Sequence, residues 1–398
     1  MIGKFIGLVT LSFLLVACGN DSSQSSIPFE VSVPKSCSLK DKNQFVYDVL
    51  KDSYFWSDKV GDLDISLESN ESMFLDHFLY KKKDRFSFLL KRQTFDEVFT
   101  QGDAKDFGFL SALIQDSQGA YSYKVTYVYR DSPAFMAGIH RADTILAAKD
   151  INTTATAFRL ENSAGEIRDV TLQEKAYHVK NISHTRILNE GDKKVGYFLL
   201  HSFIGPDLIK NLDHTFDYFS DNHIDELVID LRYNGGGLLD VARYLGSLVG
   251  GKRVEGHIFE RISYNKKYHS KNYNNYFPKL ERRDLNLDRV FILTTYATAS
   301  ASEALINSLR ASENHIKVIT IGQTSYGKPY GMQTISYCDR VLVPIHFIGK
   351  NSDGYGDYTS GIVPTCEADD SIDYDFANPQ ESLLKETLYY IDTGACRP

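Results

Sequence analysis

Tryptophan occurs once in these 398 residues, methionine four times and cysteine five times. There is no Cys-x-x-Cys pair and no His-Glu-x-x-His, and the 11 histidines form no ligand pattern, so zinc-ribbon, thioredoxin-like and zincin readings fall away and no metal site is expected. Neither G-x-G-x-x-G nor a complete G-x-x-x-x-G-K-[ST] is present, which removes the standard nucleotide-phosphate cradles. No basic run with interleaved aromatics occurs, and the formal net charge of -8 gives no electrostatic grip on nucleic acid. Internal repeats are also missing, and no segment beyond the first 17 residues is long and apolar enough to span a bilayer.

What remains is an ordinary globular composition, 42% apolar and 24% charged, with 25 Tyr and 24 Phe to line cores and grooves. The length allows two or three domains. Lys4 followed by the apolar run Phe5 to Ala17 reads as a targeting segment. It ends in Leu15-Val16-Ala17-Cys18, which resembles the bacterial lipobox, and a polar tether follows. That resemblance implies cleavage before Cys18, a lipid on Cys18, and a place in the bacterial cell envelope, facing the periplasm. The expected organisation is signal and lipobox over 1–18, tether over 19–37, a helical N-terminal region over 38–100, a β-rich module over 101–178 and an α/β core over 179–398.

The helical region rests on Phe45, Val46, Val49, Leu50 and Tyr54 at helical spacing, and it carries no catalytic motif. The module opens with Asp106-Phe107-Gly108-Phe109 and continues through Ser132-Pro133-Ala134 to Ala137-Gly138-Ile139 and Ala142-Asp143. In the core, strands and helices alternate: Glu226 to Arg232 is nearly continuous in apolar residues, as in a sheet buried on both faces, and Leu238 to Val249 is an amphipathic helix.

Three segments at strand ends carry chemistry. Asp230-Leu231-Arg232-Tyr233-Asn234-Gly235-Gly236-Gly237 runs a strand into a turn whose backbone N–H groups can face an oxyanion. Ala299-Ser300-Ala301-Ser302-Glu303 places a serine at a strand-to-helix turn, where it is either a nucleophile or the N-cap of a capping box with Glu303. Tyr326-Gly327-Lys328-Pro329 holds a lysine among uncharged neighbours, where loss of water would lower its pKa and let it accept a proton. The formal S-x-x-K and S-D-N of penicillin-recognising proteins occur in the wrong order with no K-T-G, and a Ser–His pair using His201 or His315 stays open.

Together the three segments resemble the C-terminal processing, or tail-specific, serine peptidase family, and the module resembles the PDZ domain that precedes them there. The resemblance implies a crotonase-like α/β core of largely parallel or mixed sheet plus a small PDZ domain, and no cofactor. It aligns Ser300 with the nucleophile and Lys328 with the general base. Gln333 stands near, though one residue beyond, the place of a family Gln that orients the lysine. The Gly236 and Ala301 N–H groups are expected to form the oxyanion hole, with Gly237 the neighbouring option. The partners implied are proteins or peptides with free C-termini, whose carboxylate would sit on Phe107-Gly108-Phe109. The competing reading is a non-catalytic envelope scaffold that captures protein tails. Four cysteines other than Cys18 allow three pairings. Cys338 with Cys366 is expected, because both follow Lys328 and flank one strand and a Gly-rich loop, leaving Cys37 and Cys396 paired or free.

Overall fold

The computed structural model describes residues 31–63, 70–115, 119–281 and 284–398. Cys18 and the targeting segment lie outside the described residues.

The core is organised by a six-stranded sheet in the order Cys366–Glu367, Lys317–Gly322, Arg289–Thr294, Glu226–Asp230, Lys193–Leu200, Ile182–Glu190. All neighbours pair in parallel except Ile182–Glu190, which returns antiparallel to Lys193–Leu200. The strand Glu226–Asp230 shows why the sequence runs apolar without alternation. Leu227 and Ile229 pack with the helices Leu208–Asp221, Leu239–Gly250 and Ala301–Leu309 on one face, while Val228 packs with the helix Ser382–Thr393 on the other. Parallel strands all end at the same edge, and the three chemical segments leave from that edge.

A second, antiparallel sheet orders Tyr273–Tyr276, Ile258–Tyr264, Ile345–Lys350 and Tyr330–Met332, and a three-stranded one joins Phe88–Lys91, Arg340–Val343 and Ile335–Tyr337. The N-terminal helices Leu39–Ser53 and Glu71–Phe78 are not a separate body. Val46, Val49, Leu50 and Phe74 share one apolar core with Tyr330, Met332, Val341 and Leu342, residues that follow Lys328 in the chain.

The module is a five-stranded antiparallel sheet, in order Phe109–Gln115, Tyr121–Val128, Thr144–Asp150, Ala155–Glu161 and Ile167–Gln173, with one four-residue helix, Pro133–Met136. Ser132 caps that helix by accepting from the Phe135 N–H at 3.2 Å. Ala142, which stands where the resembled family has Gly, adopts φ 77, the left-handed region that glycine reaches without strain. Arg141 docks the module onto the core: its guanidinium donates to Asp370 Oδ1 at 2.5 Å, Tyr233 Oη at 2.8 Å and the Tyr374 carbonyl at 3.0 Å.

The disulfides are Cys37–Cys338 and Cys366–Cys396, which corrects the expected Cys338–Cys366 pair. Nearness in sequence misled here. Cys338 lies in the turn of the hairpin Ile335–Tyr337/Arg340–Val343, against the N-terminal helices, whereas Cys366 opens the edge strand of the main sheet beside the C-terminal helix.

Candidate active site

The three segments converge, stitched to one another by hydrogen bonds to backbone carbonyls. The Ala299 N–H donates to the Asn234 carbonyl at 3.0 Å, Ser302 Oγ to the same oxygen at 3.0 Å, and Thr298 Oγ1 to the Leu231 carbonyl at 2.8 Å. Thr295 Oγ1 bonds the Arg232 carbonyl, and the Tyr326 N–H donates to the Thr298 carbonyl at 2.9 Å. The serine elbow therefore holds the Gly turn on one side and the lysine segment on the other.

Ser300 is 3% exposed, and its backbone sits at φ 58, ψ -116. An ordinary N-cap residue is extended. A non-glycine residue at positive φ stores strain and is held there by its surroundings. Space confirms how tight the turn is: a Cβ on Gly236 (φ 111) would come within 2.7 Å of Ser300 Cβ and 2.9 Å of the Ala301 nitrogen. Glycine at 236 is thus required by the approach of the elbow.

Glu303 does more than the capping box foresaw. Fully buried, it accepts from the Ser300 N–H at 2.9 Å, the Ser325 Oγ at 2.5 Å, the Gly327 N–H at 2.7 Å and the Lys328 N–H at 2.8 Å. One carboxylate fixes the backbone of both Ser300 and Lys328. Burial pushes its pKa up, and the four donors pull against that shift.

Lys328 is 2% exposed. Its Nζ lies 3.4 Å from the Met332 Sδ and 5.6 Å from the centre of the Phe86 ring. Phe86 comes from the N-terminal region, in which the sequence showed no catalytic motif. Arg85 beside it stacks over the Tyr326 ring, 4.3 Å from its centre, and donates to the Tyr326 carbonyl at 2.7 Å. Gln333 does not take the orienting part expected of it. Its N–H donates to His346 Nδ1 at 3.1 Å, and its buried side-chain oxygen accepts no hydrogen bond. The strand Tyr330–Met332 turns Met332, four residues after Lys328, toward the Nζ.

The expected oxyanion donors divide. The Ala301 N–H, at the first position of its helix, has no hydrogen-bond partner among the described residues. The Gly236 N–H is already engaged by Asn234 Oδ1 at 2.8 Å, so the expected use of Gly236 is not the arrangement found. Gly237, at φ 142, packs against the Phe203 backbone as the next residue of the turn.

A cavity of about 420 Å³ runs from Lys328, Ala299 and Gly235 to Asp106, Leu110 and Ser111 of the module. His201 lines it, buried and paired through Nε2 with the Tyr129 hydroxyl; burial alone pulls its pKa down to about 4. His315 lies just ahead of the strand Lys317–Gly322, at the opposite end of the sheet from the elbow. Six strand residues put that end about 20 Å away. Among the described residues neither histidine is hydrogen-bonded to Ser300. In the module, the Gly108 N–H is bonded to Asp106 Oδ1 at 2.6 Å, and the Phe107 and Phe109 rings both meet Phe158 edge-on at 5.6 Å inside the module's own core. Of the loop amides expected to take a substrate carboxylate, that of Gly108 is therefore occupied, and both rings pack within the module's core.

One network escaped the sequence. Arg232, wholly buried, bonds Asp230, forms a two-pronged pair with Glu381 at 2.8 and 2.9 Å, and reaches Asp370 at 2.9 Å. Asp370 also takes Arg141 and the Tyr233 hydroxyl. Burial works against the Asp370 charge, but Arg232 and Arg141 hold its carboxyl below the usual range. The Gly turn is thereby pinned from behind by residues some 140 positions downstream. The only sequence signal was an arginine inside an otherwise apolar strand end.

Comparison with known proteins agrees with this geometry. Residues 194–367 match peptidase family S41, and residues 41–88 match the peptidase S41 N-terminal domain. The probable CtpA-like serine protease of Staphylococcus aureus is 26% identical over 351 residues, 82% of this chain and 64% of that protein. Its counterpart in Staphylococcus saprophyticus is 24% identical over 320 residues, 76% and 60% of the two chains. This chain thus spans less than two thirds of the length of the curated relatives it matches. In structure it is similar to a putative S41 protease from Bacteroides fragilis, with TM-score 0.73, 24% identity, and 88% and 97% of the chains covered. It is also similar to the photosystem II D1 C-terminal processing protease, with TM-score 0.53, 14% identity, and 83% and 92% covered. The two family matches lie on the core and on the N-terminal helices, so residues 194–367 carry a peptidase family S41 domain and residues 41–88 a peptidase S41 N-terminal domain.

Proposed function

We propose that this chain is a serine endopeptidase in which Ser300 is the nucleophile and Lys328 its general base. The observation that carries the reading is Glu303, whose one buried carboxylate ties the strained backbone of Ser300 to that of Lys328 at one end of a peptide-sized cavity. Neutral Lys328 takes the Ser300 hydroxyl proton as Oγ attacks the substrate carbonyl. The oxyanion is held by the Ala301 N–H, by the Gly237 N–H of the Gly turn, and by the positive end of the helix Ala301–Leu309. The lysine ammonium then protonates the leaving amine as the C–N bond breaks. A water, deprotonated by the same Nζ, cleaves the acyl-enzyme and restores Ser300. Phe86 and Met332 lie against Nζ and Lys328 is 2% exposed, and such burial favours the neutral amine.

The module at 101–178 is proposed as a PDZ-like substrate holder, and Cys18 as a lipid anchor at the cell envelope. Among the described residues no helix is long and apolar enough to cross a membrane. The test is a fluorophosphonate label followed by peptide mapping. Label on Ser300, lost in Lys328→Ala, is the expected result; cleavage that persists in Ser300→Ala overturns the reading.

A further inference from the structure

The far end of the cavity shows how a substrate would lie. The strand Phe109–Gln115 is the outermost of the module's sheet, paired among the described residues only with Tyr121–Val128, and its Leu110, Ser111 and Ala112 line the cavity. An unpaired strand edge accepts an extended chain by main-chain hydrogen bonds. Just before that edge, Asp106 Oδ1 accepts both the Gly108 N–H at 2.6 Å and the Tyr177 hydroxyl at 2.9 Å. A carboxylate of the protein itself thus takes up the Gly108 amide and puts a negative charge beside the start of that edge. The charged residues lining the cavity are Asp103, Asp106 and Lys328, so its module end offers no cation to an incoming carboxylate. Like charges at short range disfavour one another strongly where water is scarce.

We propose that this chain binds its substrate as an internal extended segment laid along Phe109–Gln115, and that Asp106 excludes a free C-terminal carboxylate. The cleavage part of this proposal rests on the serine peptidase reading; the binding part does not. The probe is a pool of randomised twelve-residue peptides, made as free acids and as C-terminal amides with distinct isotope labels. Binding is measured with the full chain carrying Ser300→Ala, and cleavage with the unmodified chain, both read by mass spectrometry. Amides are expected to bind and be cut at least as well as acids, with cuts away from the last residues. Adding Asp106→Asn, which keeps the acceptor Oδ1 and removes the charge, should move the acid-to-amide binding ratio at least fivefold toward acids; its thermal midpoint controls for folding. A tenfold preference for acids, an unchanged ratio in Asp106→Asn, or no binding of either form overturns the proposal. Binding of amides without cleavage by the unmodified chain sinks the peptidase reading and leaves this one standing.

Discussion

Ser300 and Lys328 stand on regions built by different rules. The elbow belongs to the parallel sheet, whose strands are buried on both faces and whose ends point at the site by topology. Lys328 lies where the chain leaves that sheet for the antiparallel strand Tyr330–Met332, and its surroundings are completed by helices and a loop from the first ninety residues. Within one region the site is set by chain connectivity; in the other it is set by packing between distant segments. Glu303 is the bridge between them.

The largest effect should come from separating the two groups chemically. Lys328→Arg keeps charge and approximate size but cannot accept a proton, so turnover should fall at least ~1,000-fold, as far as in Ser300→Ala, and the double variant should be no slower. Substantial turnover by Lys328→Arg, measured on an unstructured peptide, would remove Lys328 from the mechanism. Breaking the bridge comes next. Glu303→Ala leaves four buried donors unsatisfied and should cost about 4 kcal/mol in denaturant unfolding, with activity lost. Glu303→Gln keeps the shape, so it should fold better than Glu303→Ala while remaining impaired in turnover rather than in KM.

Phe86→Ala tests whether the N-terminal side builds the base. Truncating this buried ring should destabilise by about 3 kcal/mol and admit water to Lys328. The activity profile should then shift to higher pH, because a hydrated ammonium releases its proton less readily. An unchanged pH profile would confine Phe86 to a structural part.

The effect that leaves turnover untouched compares two buried glutamates through stability alone. Glu260, on the antiparallel strand Ile258–Tyr264, has an unpaired Oε2, and burial pushes its pKa up to about 8. Its folded pKa lies above the unfolded value, so folding is favoured with the proton on. That contribution is complete below about pH 4.3 and declines as pH rises toward 8, by at most about 1.4 kcal/mol per pH unit. Glu260→Gln should flatten that decline in chemical denaturation between pH 5 and 9, and a slope equal to that of the parent chain would show that Glu260 ionises freely.

The Gly turn and the Ser300 elbow were legible as segments because strand, turn and helix lie close together in sequence, whereas the parts expected of Ser300 and Lys328 came from the family resemblance. The alternation of helix and strand was readable for the same reason, as in Glu226–Asp230 followed by Leu239–Gly250. A count of residues already put Met332 four after Lys328 and Gln333 five after, but that the Met332 sulfur lies against Nζ was visible only in the fold.

The sequence by itself determined which residue types could carry the chemistry and in what order the strands and helices would alternate, because those signals are local. Tertiary structure alone decided that Phe86 faces Lys328, that Asp370 joins Arg141 to Arg232, and that Cys37 meets Cys338 across 301 residues. Each of these depends on which surfaces pack together, and for Phe86, Asp370 and Cys37 the partners lie far apart along the chain. Burial and charge pairing settle such contacts only once the chain has closed on itself.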